Sequence, residues 1–324
     1  MKNILVTGAG GFIGSHLTEL LVEKGYNIKA FVHYNSWNKW GWLDTSFVKN
    51  KVEIISGDIR DYDSVTAAMQ GCDSVFHLAA LIGIPYSYVS PQAYIKTNID
   101  GTYNILQSAR QAGIEKIMVT STSETYGTAQ YVPIDEKHPM VGQSPYSATK
   151  IAADQLAISY YKSFDLPVKI VRPFNTYGPR QSARAIIPTV ISQILAGETA
   201  LKLGNLSPTR DLTFVKDTAK GFLEIALADG LFGEITNIGM SEEITIGNLV
   251  QLISNLIGEK IEIISEEQRI RPDKSEVERL FCNNTKIKEN TAWQADYTLE
   301  KGLIETIDWI RNNQSYFKSD IYNV

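Results

Sequence analysis

The 324-residue chain has only two cysteines, Cys72 and Cys282, far apart and with no CxxC or Cys/His cluster around them. That spacing excludes a disulfide framework and a zinc site, so no metal is expected, and it fits a reducing compartment. No apolar run approaches the ~18 residues of a membrane span, and the opening Ile4-Leu5-Val6 is strand-length rather than a signal peptide. A cytoplasmic protein is expected. Neither sign of charge accumulates: 31 Lys+Arg stand against 36 Asp+Glu, for a net charge of −5. A nucleic-acid-binding or polybasic membrane surface is therefore disfavoured. Repeats and low-complexity stretches are also missing, which argues against solenoids and disorder.

What is present is alternation. Strand-like runs at residues 4–6, 28–32, 52–56, 75–78, 116–120 and 168–171 alternate with helical patterns at 12–24, 94–111 and 146–164. This order predicts an α/β fold, a Rossmann-type doubly wound parallel sheet over residues 1–174. Beyond Phe174 the pattern is irregular, with strand-like pieces at 200–203, 211–215 and 261–264 among helical ones at 186–196, 218–228 and 246–257. It reads as a smaller α/β substrate domain over residues 175–324, with strands free to cross back.

Thr7-Gly8-Ala9-Gly10-Gly11-Phe12-Ile13-Gly14 follows the first strand and opens a helix, where a chain that admits a pyrophosphate must turn tightly. The GxxGxxG spacing resembles the extended short-chain dehydrogenase/reductases, and makes Gly8, Gly11, Phe12, Ile13 and Gly14 cofactor-binding candidates. The second strand ends in His33-Tyr34-Asn35-Ser36 without the carboxylate that usually binds the NAD ribose. His33, Asn35 or Ser36 would meet a ribose hydroxyl or a 2′-phosphate instead. The choice between NAD and NADP stays open, leaning to NAD. By the resemblance, Asp58 and Ile59 contact adenine, and Leu78, Ala79 and Ala80 line the nicotinamide side.

Tyr146 and Lys150 lie four residues apart at the head of a helical pattern, hence on one face. A phenol of pKa ~10 needs a nearby ammonium to act as a base at neutral pH. Upstream, Thr120-Ser121-Thr122-Ser123-Glu124-Thr125-Tyr126-Gly127 ends the fifth strand, the edge where open α/β sheets bind ligands. Its Glu124 resembles the acid of sugar-nucleotide 4,6-dehydratases; epimerases usually lack one there. The resemblance implies that Tyr146 takes the C4 hydroxyl proton, a tightly held and recycled nicotinamide takes the hydride, and Thr122 hydrogen-bonds the C4 oxygen. Glu124 then removes the C5 proton, water leaves from C6, and the hydride returns to C6. Ser123 stands where deoxythymidine-diphosphate-glucose dehydratases carry an Asp, so Glu124 would serve as base and acid.

Arg172-Pro173-Phe174-Asn175-Thr176-Tyr177-Gly178-Pro179 resembles the extended family's R-x-x-N-x-Y-G-P signature, whose Asn, here Asn175, faces the substrate diphosphate. Arg184, Arg210 and Arg271 are candidate diphosphate or ribose clamps. Stretches such as Ala80-Leu81-Ile82-Gly83-Ile84-Pro85-Tyr86-Ser87-Tyr88 and Tyr126-Gly127-Thr128-Ala129-Gln130-Tyr131 resemble the nucleotide-diphospho-N-acetylglucosamine 4,6-dehydratases of the legionaminic-acid route. That resemblance implies a UDP- or GDP-linked N-acetylglucosamine substrate, a 4-keto-6-deoxy product for surface-glycan synthesis, and Ile84, Pro85, Tyr86 and Ser87 over the hexose. It also implies a homodimer through the helices at 94–111 and 146–164. Three alternatives are a UDP-glucuronate decarboxylase, a nucleotide-sugar 4-epimerase and a non-catalytic NAD-binding sensor.

Overall fold

A computed structural model describes residues 1–266, 269 and 272–318. Along the chain the first half forms β1 (Asn3–Thr7), α1 (Phe12–Glu23), β2 (Asn27–His33), β3 (Glu53–Gly57), α2 (Tyr62–Met69), β4 (Ser74–His77), α3 (Ile84–Val89), α4 (Pro91–Tyr94), α5 (Gly101–Ala112), β5 (Lys116–Thr120), α6 (Pro145–Phe164) and β6 (Val168–Pro173). The second half adds β7 (Asn175–Tyr177), α7 (Ile186–Leu195), β8 (Ala200–Leu203), β9 (Thr209–Arg210), β10 (Leu212–Phe214), α8 (Val215–Leu227), β11 (Ile235–Ile238), β12 (Ile244–Thr245), α9 (Ile246–Ile257), β13 (Glu262–Ser265), β14 (Arg279–Leu280), α10 (Thr285–Asn290) and α11 (Leu299–Asn312).

Seven parallel strands make one sheet in the order β11-β6-β5-β4-β1-β2-β3. Strands β4 and β6 are buried along their whole length, as expected of parallel strands covered on both faces. Strand β1 pairs with β2 on one side and β4 on the other, Ile4 lying opposite both Ile28 and Ser74. The strand order reverses there, and the carboxyl ends of β1 and β4 open the crevice where such sheets take a ligand.

The division at residue 174 is not linear in space. Strand β11 returns to pair with β6, Ile235 opposite Ile170. Helix α8 packs with α1 in the same core, joining Phe222, Leu223 and Ile225 to Leu17 and Leu21. A separate core of Ile187, Ile191, Leu249, Ile253, Leu303 and Ile307 holds α7, α9 and α11 together. Sequence periodicity missed α2 altogether, a helix of eight residues capped by Asp61. Residues 84–87 open α3, with Pro85 in its first turn. The continuous helix expected at 94–111 is interrupted by a π-type turn over Ile95–Asp100. Among the described residues no helix is long and apolar enough to cross a membrane.

Candidate active site

Gly8 sits at φ +70°, and a Cβ there would stand 2.8 Å from the Ala79 nitrogen. Only glycine lets the ends of β1 and β4 approach this closely. Gly11 caps α1 without a side-chain hydrogen bond. The first-turn amides of Phe12, Ile13 and Gly14 therefore keep the unpaired, positively polarised character of a helix start. Thr7 Oγ1 lies 2.8 Å from His77 Nδ1 and accepts the Ala79 N–H at 3.2 Å, while His77 Nε2 meets Thr102 Oγ1 at 3.1 Å. Burial drives the His77 imidazole down to about 3, so it serves as a neutral tie between strand ends.

At the strand end expected to take the adenosine, the exposed His33 ring is 4.0 Å from Asp58. Asp58 is gripped by Arg60, whose Nε donates to both carboxylate oxygens at 3.0 Å and whose backbone N–H donates at 2.9 Å; the Arg60 bonds hold the acid below its usual range. Arg60 is a functional candidate that sequence reasoning passed over, although it stands two residues after Asp58. Asn35 is spent within its own loop: Oδ1 accepts the Trp37 and Lys39 N–H groups at 3.2 and 3.1 Å, and Nδ2 donates to the Lys39 carbonyl at 2.6 Å. Ser36 is exposed beside it. Ile59 is buried, with its carbonyl held by Asn104 Nδ2 at 2.9 Å. Leu78 and Ala79 are partly buried at the end of β4, the Leu78 N–H reaching the Thr7 carbonyl at 3.2 Å; Ala80 follows them into the crevice.

Ser144 and Pro145 set the start of α6, Ser144 through a reciprocal cap with Ser147, and so place Tyr146 in the first turn. Tyr146 is buried and hydrogen-bonded to Thr122; burial pushes its phenol well above the ordinary range, and the Glu124 charge adds to that rise. Lys150 does not hydrogen-bond Tyr146. Its Nζ donates to the Thr120 carbonyl at 2.6 Å, and burial lowers its pKa against the opposing charge of Asp154. The ammonium expected near the phenol is thus fastened to the end of β5. Thr122 caps a short 3-10 turn over Ser123–Tyr126, its Oγ1 accepting the Glu124 N–H at 3.3 Å. Ser123 is buried in that turn, and among the described residues no ion pair or side-chain hydrogen bond engages the half-buried Glu124 carboxylate.

Asn98 is a site residue that pattern reading missed. From the π-type turn its Oδ1 accepts the Leu81 N–H at 2.9 Å, and its Nδ2 donates to the Leu81 carbonyl at 3.0 Å and to Thr149 Oγ1 at 3.1 Å. It fastens the segment after β4 to the helix that carries Tyr146. An asparagine inside an apolar helical pattern was the available signal.

Arg184, exposed, lies over Gly83: a Cβ at Gly83 would come within 2.4 Å of its Nη1. Its Nε donates to Ser182 Oγ at 3.1 Å. Gly83 precedes Ile84, Pro85, Tyr86 and Ser87, and its carbonyl accepts from the Tyr94 hydroxyl. The Tyr94 ring meets Tyr146 edge-on at 6.2 Å and Tyr86 at 6.2 Å, so the guanidinium, α3 and the Tyr146 phenol share one wall. Within α3, Ile84 is buried and Ser87 Oγ is consumed by the Ile84 carbonyl at 2.6 Å. Asn175 has its Oδ1 buried without a partner among the described residues. Arg210 is buried, with Nη2 on Glu276 at 3.1 Å and Nη1 on the Thr209 carbonyl at 2.8 Å. Arg271 lies outside the described residues.

The reversed parallel sheet, the glycine turn against β4 and the Tyr-Lys helix facing the end of β5 are those of an extended short-chain dehydrogenase/reductase acting on nucleotide sugars. Residues 5–306 match the family model described as GDP-mannose 4,6 dehydratase, and the chain belongs to that family. It is 33% identical to a UDP-N-acetyl-alpha-D-glucosaminuronate decarboxylase of Bacillus cytotoxicus, covering 96% of this chain and 98% of the relative. It is 31% identical to a UDP-glucose 4-epimerase of Mycolicibacterium smegmatis, covering 95% and 98%. A solved dTDP-glucose 4,6-dehydratase of Streptomyces venezuelae with NAD and DAU bound superposes with a TM-score of 0.87 at 27% identity, covering 97% of this chain and 98% of that one. Dehydration, epimerisation and decarboxylation thus all occur among its relatives.

The residues present fit NAD. A Cβ at Gly8 would fill the approach to Ala79, the α1 N-terminus carries no side-chain cap, and the two residues directly after Leu78 are the small Ala79 and Ala80.

Proposed function

We propose that this chain is a nucleotide-diphospho-N-acetylglucosamine 4,6-dehydratase, UDP- or GDP-linked, that makes a 4-keto-6-deoxy sugar nucleotide for surface-glycan synthesis of the legionaminic-acid type. The observation that carries the reading is the unpaired Glu124 carboxylate beside Tyr146 and Thr122. Gly8, Gly11, Phe12, Ile13 and Gly14 hold the cofactor's pyrophosphate, and Ala79 and Ala80 its nicotinamide side. NAD bound there would supply a reversible two-electron hydride acceptor for oxidation at C4 and reduction at C6. Tyr146 takes the C4 hydroxyl proton and Thr122 hydrogen-bonds the same oxygen. Glu124 removes the C5 proton and hands a proton to the departing C6 hydroxyl, Ser123 having no acid to offer; hydride addition at C6 then requires a proton at C5, and the proton Tyr146 took from the C4 hydroxyl closes the balance. Asn175 and Arg184 grip the diphosphate.

A second reading, UDP-glucuronate decarboxylation, draws support from Arg184, whose exposed guanidinium shares a wall with Tyr146 and would pair with a C6 carboxylate. Mass spectrometry of the purified protein with UDP-N-acetylglucosamine, GDP-N-acetylglucosamine and UDP-glucuronate, without added reductant, separates the two. Loss of one water from an N-acetylglucosamine nucleotide supports the dehydratase and names its nucleotide. Loss of carbon dioxide from the glucuronate replaces it with the decarboxylase.

The proposed assembly is a homodimer. Ile95, Tyr103 and Phe164 are each close to half exposed on the layer of α5 and α6, an apolar face suited to a second copy. Sedimentation at micromolar concentration tests it, and a monomer would reject it.

A further inference from the structure

Beneath the reacting residues lies an ion pair with no solvent contact. Arg172 on β6 and Asp154 on α6 meet at 2.6 Å between Nη2 and Oδ2, each side chain 0% exposed. Such a pair is costly to bury and is best stabilised when both edges are used. Here the second edge is not used: Arg172 Nη1 and Asp154 Oδ1 have no partner among the described residues. The pair has instead turned its bonding toward Ser121. Ser121 Oγ donates to Asp154 Oδ2 at 2.6 Å and accepts from Arg172 Nε at 3.0 Å.

Ser121 immediately precedes Thr122. Two residues beyond Glu124, the ring of Tyr126 lies under the Arg172 guanidinium at 4.4 Å. The pair thus touches both flanks of the turn that carries Thr122 and Glu124. Asp154 also stands one helical turn after Lys150, which is bonded to the Thr120 carbonyl. Helix α6 therefore holds residues 120 and 121 at two points a turn apart.

We propose that Asp154 and Arg172, acting through Ser121, are positioning residues that keep Thr122 and Glu124 in register with Tyr146 and Lys150. They touch neither substrate nor cofactor. The inference rests on the proposed reaction only for its kinetic readout.

Replacing Asp154 strands a buried guanidinium and risks the fold, so the primary variant is Ser121→Ala, which leaves the ion pair intact. A crystal structure of this variant is expected to show the Thr122–Glu124 turn displaced from Tyr146. Its kcat should fall roughly 10–100-fold, the scale of an ångström-sized misplacement, while KM stays within about twofold. Ser121→Thr, which keeps the hydroxyl, should restore most of the rate. A turn that superposes on the wild type, an unchanged kcat, or a rate loss that merely follows the folded fraction by circular dichroism overturns the proposal. If the wild-type protein turns over no sugar nucleotide, the reaction reading fails, and the crystal structure still decides this one.

Discussion

Asn98 clasps Leu81 at both ends of one residue's backbone, accepting from its N–H at 2.9 Å and donating to its carbonyl at 3.0 Å. The π-type turn makes this reach possible by shifting Asn98 out of ordinary helical register. In Asn98→Ala both Leu81 groups lose their partner in a partly buried segment, each at about 1–3 kcal/mol. The expected result is a fall in Tm of several degrees with a loss of catalytic rate, because Thr149, next to Lys150, loses its tie as well. Differential scanning calorimetry checks it. A variant that melts with the wild type would show that the clasp carries no stability.

Gly8→Ala tests the cofactor turn. The left-handed backbone costs a residue with a Cβ roughly 1–2 kcal/mol, and the new methyl would press on the Ala79 nitrogen from 2.8 Å. β1 and β4 must then part at the crevice proposed to take the nicotinamide. Purified Gly8→Ala should lose its cofactor absorbance while remaining folded; full retention of NAD would contradict the assignment of this turn.

The glycine turn, the Tyr146–Lys150 spacing and the Glu124 segment were legible because each is local, a few residues whose order alone states their geometry. Several roles are set by distant partners, which no local pattern states. Lys150 reaches Thr120 across 30 residues and Arg184, expected only as a clamp, comes to rest on Gly83; the strand crossing that the sequence left open is β11, which returns to β6. Asn35 looked free for a ribose in the sequence, yet turn chemistry with Trp37 and Lys39 consumes it. Helix α2 escaped because two turns are too short to show a period.

Two buried histidines predict acid sensitivity well above the carboxylate range. Burial lowers His77 to about 3 and, with Arg180 nearby, His16 to about 4, against 6.5 when unfolded. Above pH 6.5 neither state is protonated at these rings and they leave stability unchanged. Below it the unfolded chain takes up protons that the folded chain refuses, so stability falls with pH, by ~1.4 kcal/mol per unit for each ring, until the folded values are reached. Asp211, which burial raises to about 7, opposes this slope over the same window, so urea unfolding between pH 7.5 and 5.5 checks the histidine share by comparison: His77→Asn should remove about one proton from the wild-type slope. An unchanged slope would mean that His77 titrates normally in the fold.

Glu124→Gln separates the two halves of the proposed reaction. The amide keeps the size of the side chain and the Thr122-capped turn, but it cannot take a proton from C5. Tyr146 and Lys150 remain in place, so C4 oxidation should proceed and stop there. Reduced nicotinamide should then accumulate at 340 nm on mixing with substrate, while product formation falls by about 10²–10⁴, the usual worth of a positioned acid or base. The variant also removes a negative charge that raises the Tyr146 phenol, so the oxidation step itself should run no slower than in the wild type and extend to lower pH. Accumulation without product assigns Glu124 to the step after oxidation. Failure to reduce the nicotinamide at all would place Glu124 in the first step, and product at the wild-type rate would remove it from the mechanism.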